Sequence, residues 1–347
     1  MKHLKIDFKP GFSVYTNGPG PVWVCPHSGP AIEVPTSRDE NTETVASLCW
    51  LKTGGSLVVS GMPRKKMFGV DFNRDIPPED LSLLLWPKFF ENGHSERLKN
   101  YRKKYGWVAQ NKTDYHHRLR IYRDFWGTIK RLGNVIVFVH REYVRMKNFP
   151  SIMDVVTYQG EGVNKEIIKR IVETVNKEYE PFFSKITKDY KDSILLEEKR
   201  TIERIKEVFS DFDLEKIKIE YRENLLDDVK VMEKYADRRI LKRLKKEFNE
   251  RNFISAARSA LRRGPGPQIT VESVFKGEMA IRTKKPLFIK QNIVMEVECN
   301  AFINYWYPDI ASRMIMDLLK NLVSVDRYRK LGLRQTDILK FMGREVV

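Results

Sequence analysis

The five apolar residues Val135-Ile136-Val137-Phe138-Val139 stand directly after a long helical pattern, and this adjacency constrains the fold more than any other feature. From Tyr115 to Leu132 the apolar positions Leu119, Tyr122, Trp126 and Ile129 recur on one helical face. Gly133-Asn134 ends that pattern and the apolar run follows at once. A helix that delivers the chain straight into a short apolar strand belongs to a sheet covered by helices. The first third of the chain repeats the grammar. Val22-Trp23-Val24-Cys25 reads as a buried strand, Asp39 to Leu51 as a helix capped by Thr36 or Ser37, and Leu57-Val58-Val59 as a second strand. Phe68 to Phe72 reads as a further strand, and Pro77-Pro78 breaks the pattern. The expectation is an α/β fold: three layers, with a mixed and largely parallel sheet flanked by helices.

After Gly162 the style changes. From Lys165 to Arg263 Gly and Pro are almost absent, charge is dense, and apolar residues such as Ile202, Ile205, Val208 and Phe209 keep helical spacing. We read 163–263 as an inserted all-helical segment of two to four long helices, a site for pairing with a second copy or a partner. Gly264-Pro265-Gly266-Pro267 marks its exit. Strand character returns at Ile269-Thr270-Val271 and Ile293 to Val297, and a helix over 310–325 closes the fold. The α/β domain therefore comprises 1–162 and 264–347 of the 347 residues.

Three strand ends carry chemistry. His27 follows the first strand in Pro26-His27-Ser28-Gly29, Asn73-Arg74 follow the third, and His140 ends the Val135–Val139 run. In open α/β sheets ligands collect at the carboxyl ends of strands. A catalytic zinc takes three protein ligands and keeps one position open. His27 and His140 supply two, and the third is Asp39 or Glu40 at the following helix start, with Glu33 and Glu43 less favoured. Acids in a first helical turn also serve the dipole alone. The guanidinium of Arg74 suits bidentate carboxylate recognition, although a strand-end Arg commonly pairs with a local acid, here Asp71 or Asp75. Glu296 lies in the apolar run Val294-Met295-Glu296-Val297, where a carboxylate is costly unless used. It is the candidate base, and Glu298, two residues on and facing the same side, is the alternate.

These residues resemble the N-formylglutamate amidohydrolase family. The likeness rests on Pro26-His27-Ser28-Gly29, on Asp71-x-Asn73-Arg74-Asp75, on Tyr115-His116-x-x-Leu119, and on their order ahead of a strand ending in His and a late strand carrying Glu. It covers roughly 20–160 and 265–310. The family is similar in fold to zinc carboxypeptidases and aspartoacylases, so the resemblance implies a zinc-peptidase-like or phosphorylase/hydrolase-like sheet. It further implies one Zn2+ per chain and hydrolysis of an amide in an acidic N-acyl amino acid. By resemblance His27, His140 and one of Asp39 and Glu40 hold the metal, Asn73 and Arg74 bind substrate carboxylate, His116 adds a polar contact, and Glu296 is the general base. Three features depart from the family. His140 is followed by Arg141-Glu142-Tyr143 rather than a small polar run, the acidic helix start at Asp39-Glu40 aligns only loosely, and the helical segment has no counterpart.

Charge supports a second reading. With 63 Lys and Arg against 46 Asp and Glu, the net charge of +17 calls for an anionic partner. Residues 97–131 hold eleven basic residues against two Asp, and 238–263 hold ten against two Glu. Helices there could grip nucleic-acid phosphates, with the metal site retuned or inactive. Cys25, Cys49 and Cys299 are too scattered for a disulfide framework or a thiolate metal site, and read as small buried hydrophobes. No apolar run approaches the roughly 18 residues of a membrane span, and the N-terminus lacks an apolar signal region. The expectation is a cytoplasmic protein.

Overall fold

The computed structural model describes residues 4–32, 38–90, 96–208, 219–289 and 292–324. Among them the strands are β1 (Leu4–Lys9), β2 (Phe12–Asn17), β3 (Val22–Cys25), β4 (Gly55–Ser60), β5 (Val135–Glu142), β6 (Ser151–Val156), β7 (Gln268–Val271) and β8 (Ile293–Asn300). The helices are α1 (Thr42–Thr53), α2 (Glu79–Phe90), α3 (Glu96–Lys104), α4 (Lys112–Leu132), α5 (Lys165–Glu178) and α6 (Glu180–Val208). They continue as α7 (Ile219–Tyr235), α8 (Arg238–Lys246), α9 (Glu250–Arg263), α10 (Glu278–Lys284), α11 (Ala301–Trp306) and α12 (Pro308–Ser324). The strands form one mixed sheet in the order β1-β2-β4-β3-β5-β8-β6-β7. Its centre, β4-β3-β5-β8, is parallel, whereas β2 joins β4 and β6 joins β8 antiparallel.

Helices cover both faces. Trp23, Cys25, Val137, Val139, Met295 and Val297 point to the face packed by α1, α5 and α12. Alternation sends Val24, Ile136, Phe138 and Val294 to the other face, onto Ile121, Phe125 and Ile129 of α4. On that second face β5 changes character along its length, from Ile136 and Phe138 to His140 and Glu142, and β8 changes from Val294 to Glu296 and Glu298. All of these side chains are buried. The apolar part anchors α4, and the charged part is left for a site.

Phe68 to Phe72 is not a strand. Both edges of β4 are already occupied, by β2 and by β3, so no ladder is open to it. The segment instead buries Val70 and Phe72 beneath α4. The hairpin β1–β2 and the strand β6 have no counterpart among the expected elements. Among the described residues the helical segment contains five helices rather than two to four, and they form no separate core. Ile168 of α5, Tyr190 of α6, Met232 of α7 and Phe253 of α9 join the cluster that covers the sheet. Thr36 and Ser37 lie outside the described residues. The observed cap of α1 is Asn41, in a left-handed conformation with no side-chain capping bond. No helix among the described residues is long and apolar enough to cross a membrane.

The turn after β3 is tightly fitted. The Ser28 hydroxyl lies 2.9 Å from the Cys25 carbonyl and 3.1 Å from that of Ser60, tying the turn to both strands. A Cβ on Gly29 would stand 1.9 Å from the Met62 carbonyl oxygen, so only glycine fits. We expect Gly29→Ala to cost about 1–3 kcal/mol by forced backbone displacement, measured by urea denaturation; unchanged stability would contradict this packing.

Candidate metal centre

The chain leaves β3 through α1 to β4 on one side, and later enters β5 on the other side of β3 through α4. The two helices cover opposite faces, so a crevice opens between the carboxyl ends of β3 and β5. His27 lies just past β3 and His140 within the last turns of β5, each at this crevice. The sequence alone gave no close spacing between them, yet the topology brings their ring centroids to 4.8 Å.

Asp39 stands between the two rings. Its backbone N–H donates to the His27 carbonyl at 3.0 Å, which fixes the carboxylate over the turn. One carboxylate oxygen, Oδ2, lies 3.2 Å from His27 Nδ1 and 2.8 Å from His140 Nδ1. The other, Oδ1, accepts from Arg64 at 3.3 Å. All three side chains are buried, and their ligating atoms lie within 4.8 Å of one another.

The far side of each ring tests whether this set suits a metal. His27 Nε2 faces Asp71 Oδ1 at 3.0 Å, so an Nε2–H donates there and leaves the Nδ1 lone pair free for a ligand. His140 Nε2 faces the Asn73 amide at 3.1 Å, while Asn73 Oδ1 is buried without a partner. Turning that amide over lets Oδ1 accept from Nε2–H and gives His140 the same tautomer. Two imidazoles and a carboxylate, each oriented from behind, match the donor set of a zinc centre with an open position. Protonation agrees. Burial alone would raise Asp39, but His27, His140 and Arg64 hold it well below the usual carboxylate range. Burial pushes His140 below an ordinary imidazole despite the nearby acids. Asp39 and His140 are therefore free of competing protons at neutral pH.

Asp71 had no role in the sequence reading beyond a partner for Arg74, and here it orients His27. It accepts from the Asn73 N–H at 3.1 Å, with Arg64 at 3.6 Å and Lys66 at 3.8 Å. Against burial, these two cations and His27 keep it well below the usual range. Its signal in the sequence was the Asp-x-Asn spacing of a turn closed on its own backbone. The loop carrying Arg64, Lys66 and Asp71 is fastened from α4, where Arg118 donates to the Gly69 carbonyl at 2.7 Å and to that of Met67 at 2.9 Å.

Arg74 and Asn73 line the same cavity of about 610 Å³ as the triad, together with Glu296 and Glu298. Arg74 takes neither Asp71 nor Asp75. It donates to the Asn73 carbonyl at 3.1 Å, while Asp75 pairs with Arg282 at 3.5 Å. Glu296 Oε2 lies 3.7 Å from His140 Nε2 and accepts from the Tyr158 hydroxyl at 2.8 Å and from Lys284. Lys284 is fully buried and packs over the Phe138 ring. Burial would raise Glu296, but Lys284 and His140 pull it down to about 2. Glu298 goes the other way: burial, then the charges of Glu296, Asp39 and Glu142, push it well above the usual range.

Three candidates fall away from the centre. Glu40 points to Arg141 at 3.3 Å and to the Tyr305 hydroxyl, because the residue after Asp39 cannot face the same point. Glu43 pairs with Arg38, and Glu33 lies outside the described residues. His116 is on the solvent side of α4, its side chain 58% exposed, 3.6 Å from Glu79. Its neighbour Tyr115 turns inward instead and donates to the Pro77 carbonyl at 2.8 Å, bracing the chain that follows Arg74. The two basic stretches also separate. α4 packs on one face of the sheet, while α8 and α9 belong to the cluster on the other.

We expect about one zinc per chain by elemental analysis, lost in His27→Ala/His140→Ala. Asp71→Asn should weaken zinc affinity about 10–100-fold, since it removes the group orienting His27. Affinity should be flat near pH 7 and fall in acid, below the ordinary imidazole range of about 6.5, where protons compete for His140. A wild type that takes up no zinc at neutral pH would exclude the centre. Compared with protein-family models, curated proteins and solved structures, the chain matches none.

Proposed function

We propose that the protein is a zinc-dependent amidohydrolase acting on an amide that carries a carboxylate, as an acidic N-acyl amino acid does, on a zinc-peptidase-like α/β fold. One observation carries the reading: His27, Asp39 and His140 converge in a single cavity that also holds Arg74 and a pair of carboxyl groups whose surroundings drive their pKa values in opposite directions. Bound by these three residues, a zinc ion would polarise the scissile carbonyl and acidify a water molecule.

The chain's own residues divide the remaining work. Arg74 takes the substrate carboxylate through its fork of donors, and its Nε is buried without a partner, ready for that acceptor. Asn73 braces His140 and so keeps its adjacent arginine in register with the centre. Glu296 is ionised and accepts a proton from the attacking water. Glu298 retains its proton and can donate to the departing amine. Two carboxyls whose surroundings drive their pKa values apart are the usual division between base and acid. Lys284 sets this polarity. It neutralises Glu296 from below, out of reach of solvent, and against burial holds the acceptor's pKa down at about 2.

The test is amine release from a panel of N-acyl amino acids by zinc-loaded protein. Glu296→Gln should lower kcat at least about 100-fold, the lower range for a lost acid–base group, with zinc content retained. Arg74→Met should act mainly on KM for substrates with a carboxylate on the amine half. In Lys284→Met the force lowering Glu296 is gone and burial raises it, so the acid limb of kcat/KM should move to higher pH. An acid limb that stays in place would remove Glu296 as the base. Absence of turnover across the panel in protein with full zinc occupancy would remove the amidohydrolase reading.

A further inference from the structure

Among the described residues six cationic side chains line the cavity, and three of them are already engaged. Arg64 is bound to Asp39 and Asp71, and Arg141 is clamped by Glu40, Tyr305, Tyr143 and the Arg38 carbonyl. Lys147 donates to Asn224 at 2.8 Å. Among the described residues two cavity arginines have no carboxylate within ion-pair distance, Arg74 and Arg145. Each also has a buried Nε with no partner. Arg145 stacks its guanidinium on the Tyr143 ring, 5.2 Å from the centroid, which fixes its plane and leaves its donors unspent.

The two arginines reach the one cavity from different segments of the chain. The loop with Arg74 departs from β4, on one side of β3. The segment with Arg145 crosses from β5 toward β6, on the other side, past β8. That crossing is built from the helical segment. Glu198 of α6 accepts the Met146 N–H at 2.9 Å, and Asp228 of α7 accepts the Lys147 N–H at 2.7 Å. Two buried carboxyl groups thus hold the short turn that presents Arg145. A cavity of about 610 Å³ is also larger than a single N-acyl amino acid needs, being in the range of drug-sized ligands.

We infer that Arg145 is a second anion-recognition point, and that the substrate carries an acidic group on the acyl side of the scissile amide as well as on the amine side, as an acidic peptide does. The inference rests on the amidohydrolase reading for the bond that is cleaved, but recognition of the two anions does not require cleavage. Arg74 grips the carboxylate of the amine half, the amide lies at the metal centre, and Arg145 grips the carboxylate of the acyl half. A charge-assisted bond to a fixed guanidinium discriminates an acid from its neutral amide by about tenfold or more.

The experiment compares acetyl-Glu-Glu with acetyl-Gln-Glu, which differ only in the charge on the acyl side, using full-length zinc-loaded protein. Binding is read by calorimetry and turnover by amine release. We expect acetyl-Glu-Glu to be preferred about tenfold in wild type, in Kd and in kcat/KM. In Arg145→Met the preference should shrink to within about twofold, while Arg145→Lys keeps part of it. Thermal melting establishes that each variant is folded; if Arg145→Met is not, Arg145→Lys and the wild-type ratio decide. Equal binding of the two peptides, no binding of either, or a preference that survives Arg145→Met would overturn the inference. Preferential binding without turnover would leave it standing and overturn the hydrolase reading alone.

Discussion

Two imidazoles press on one carboxylate oxygen in the interior, and the surroundings of that contact are arranged to support it. Asp39 sits 2.8 Å from one ring and 3.2 Å from the other, out of water. A buried carboxylate is tolerable only when its charge is answered. Arg64 answers it from the side, and Asp71 and Asn73 answer the two rings from behind. Asp71 then needs its own answer, which Arg64 and Lys66 provide. The loop that carries these cations is in turn fastened by Arg118 of α4. From one interaction the requirement spreads outward until it reaches a helix on the sheet face.

The same logic separates Glu296 from Glu298. They are two residues apart on one face of one strand, and no propensity or hydropathy argument tells them apart. What differs is the ring of partners. Glu296 has Lys284, Tyr158 and His140 around it, while Glu298 meets other acids. The difference between the two carboxyls is set by one lysine placed beneath the strand rather than by the carboxyls themselves.

How much of this was legible in the sequence depends on whether the decisive contact was local. His27 and His140 could be found because each ends a short apolar strand, where an α/β sheet presents its ligands. Arg74 was marked by the end of an apolar run that forms no strand, and Glu296 by the cost of a carboxylate within an apolar run. The choice of Asp39 over Glu40 could not, since it turns on which neighbour faces inward after a backbone bond to His27. Lys284 and Arg145 carried no signature. One reaches Glu296 from the helix that precedes β8, and the other is aimed by carboxyls on α6 and α7. The strand expected at Phe68–Phe72 failed for a tertiary reason, because β4 had no free edge. β6 escaped notice because all six of its residues are buried, so it shows no alternation. His116 misled because the useful member of its pair was Tyr115.

The helices of 163–263 share their core with the sheet, and α6 and α7 hold the amides of Met146 and Lys147. Such a segment is not a detachable accessory. It cannot be trimmed away to leave a minimal α/β unit, because the turn at Met146 and Lys147 would lose its acceptors and the sheet one cover together. A substitution that shifts α6 or α7 therefore disturbs the packing on the sheet and the turn that carries Arg145 at once.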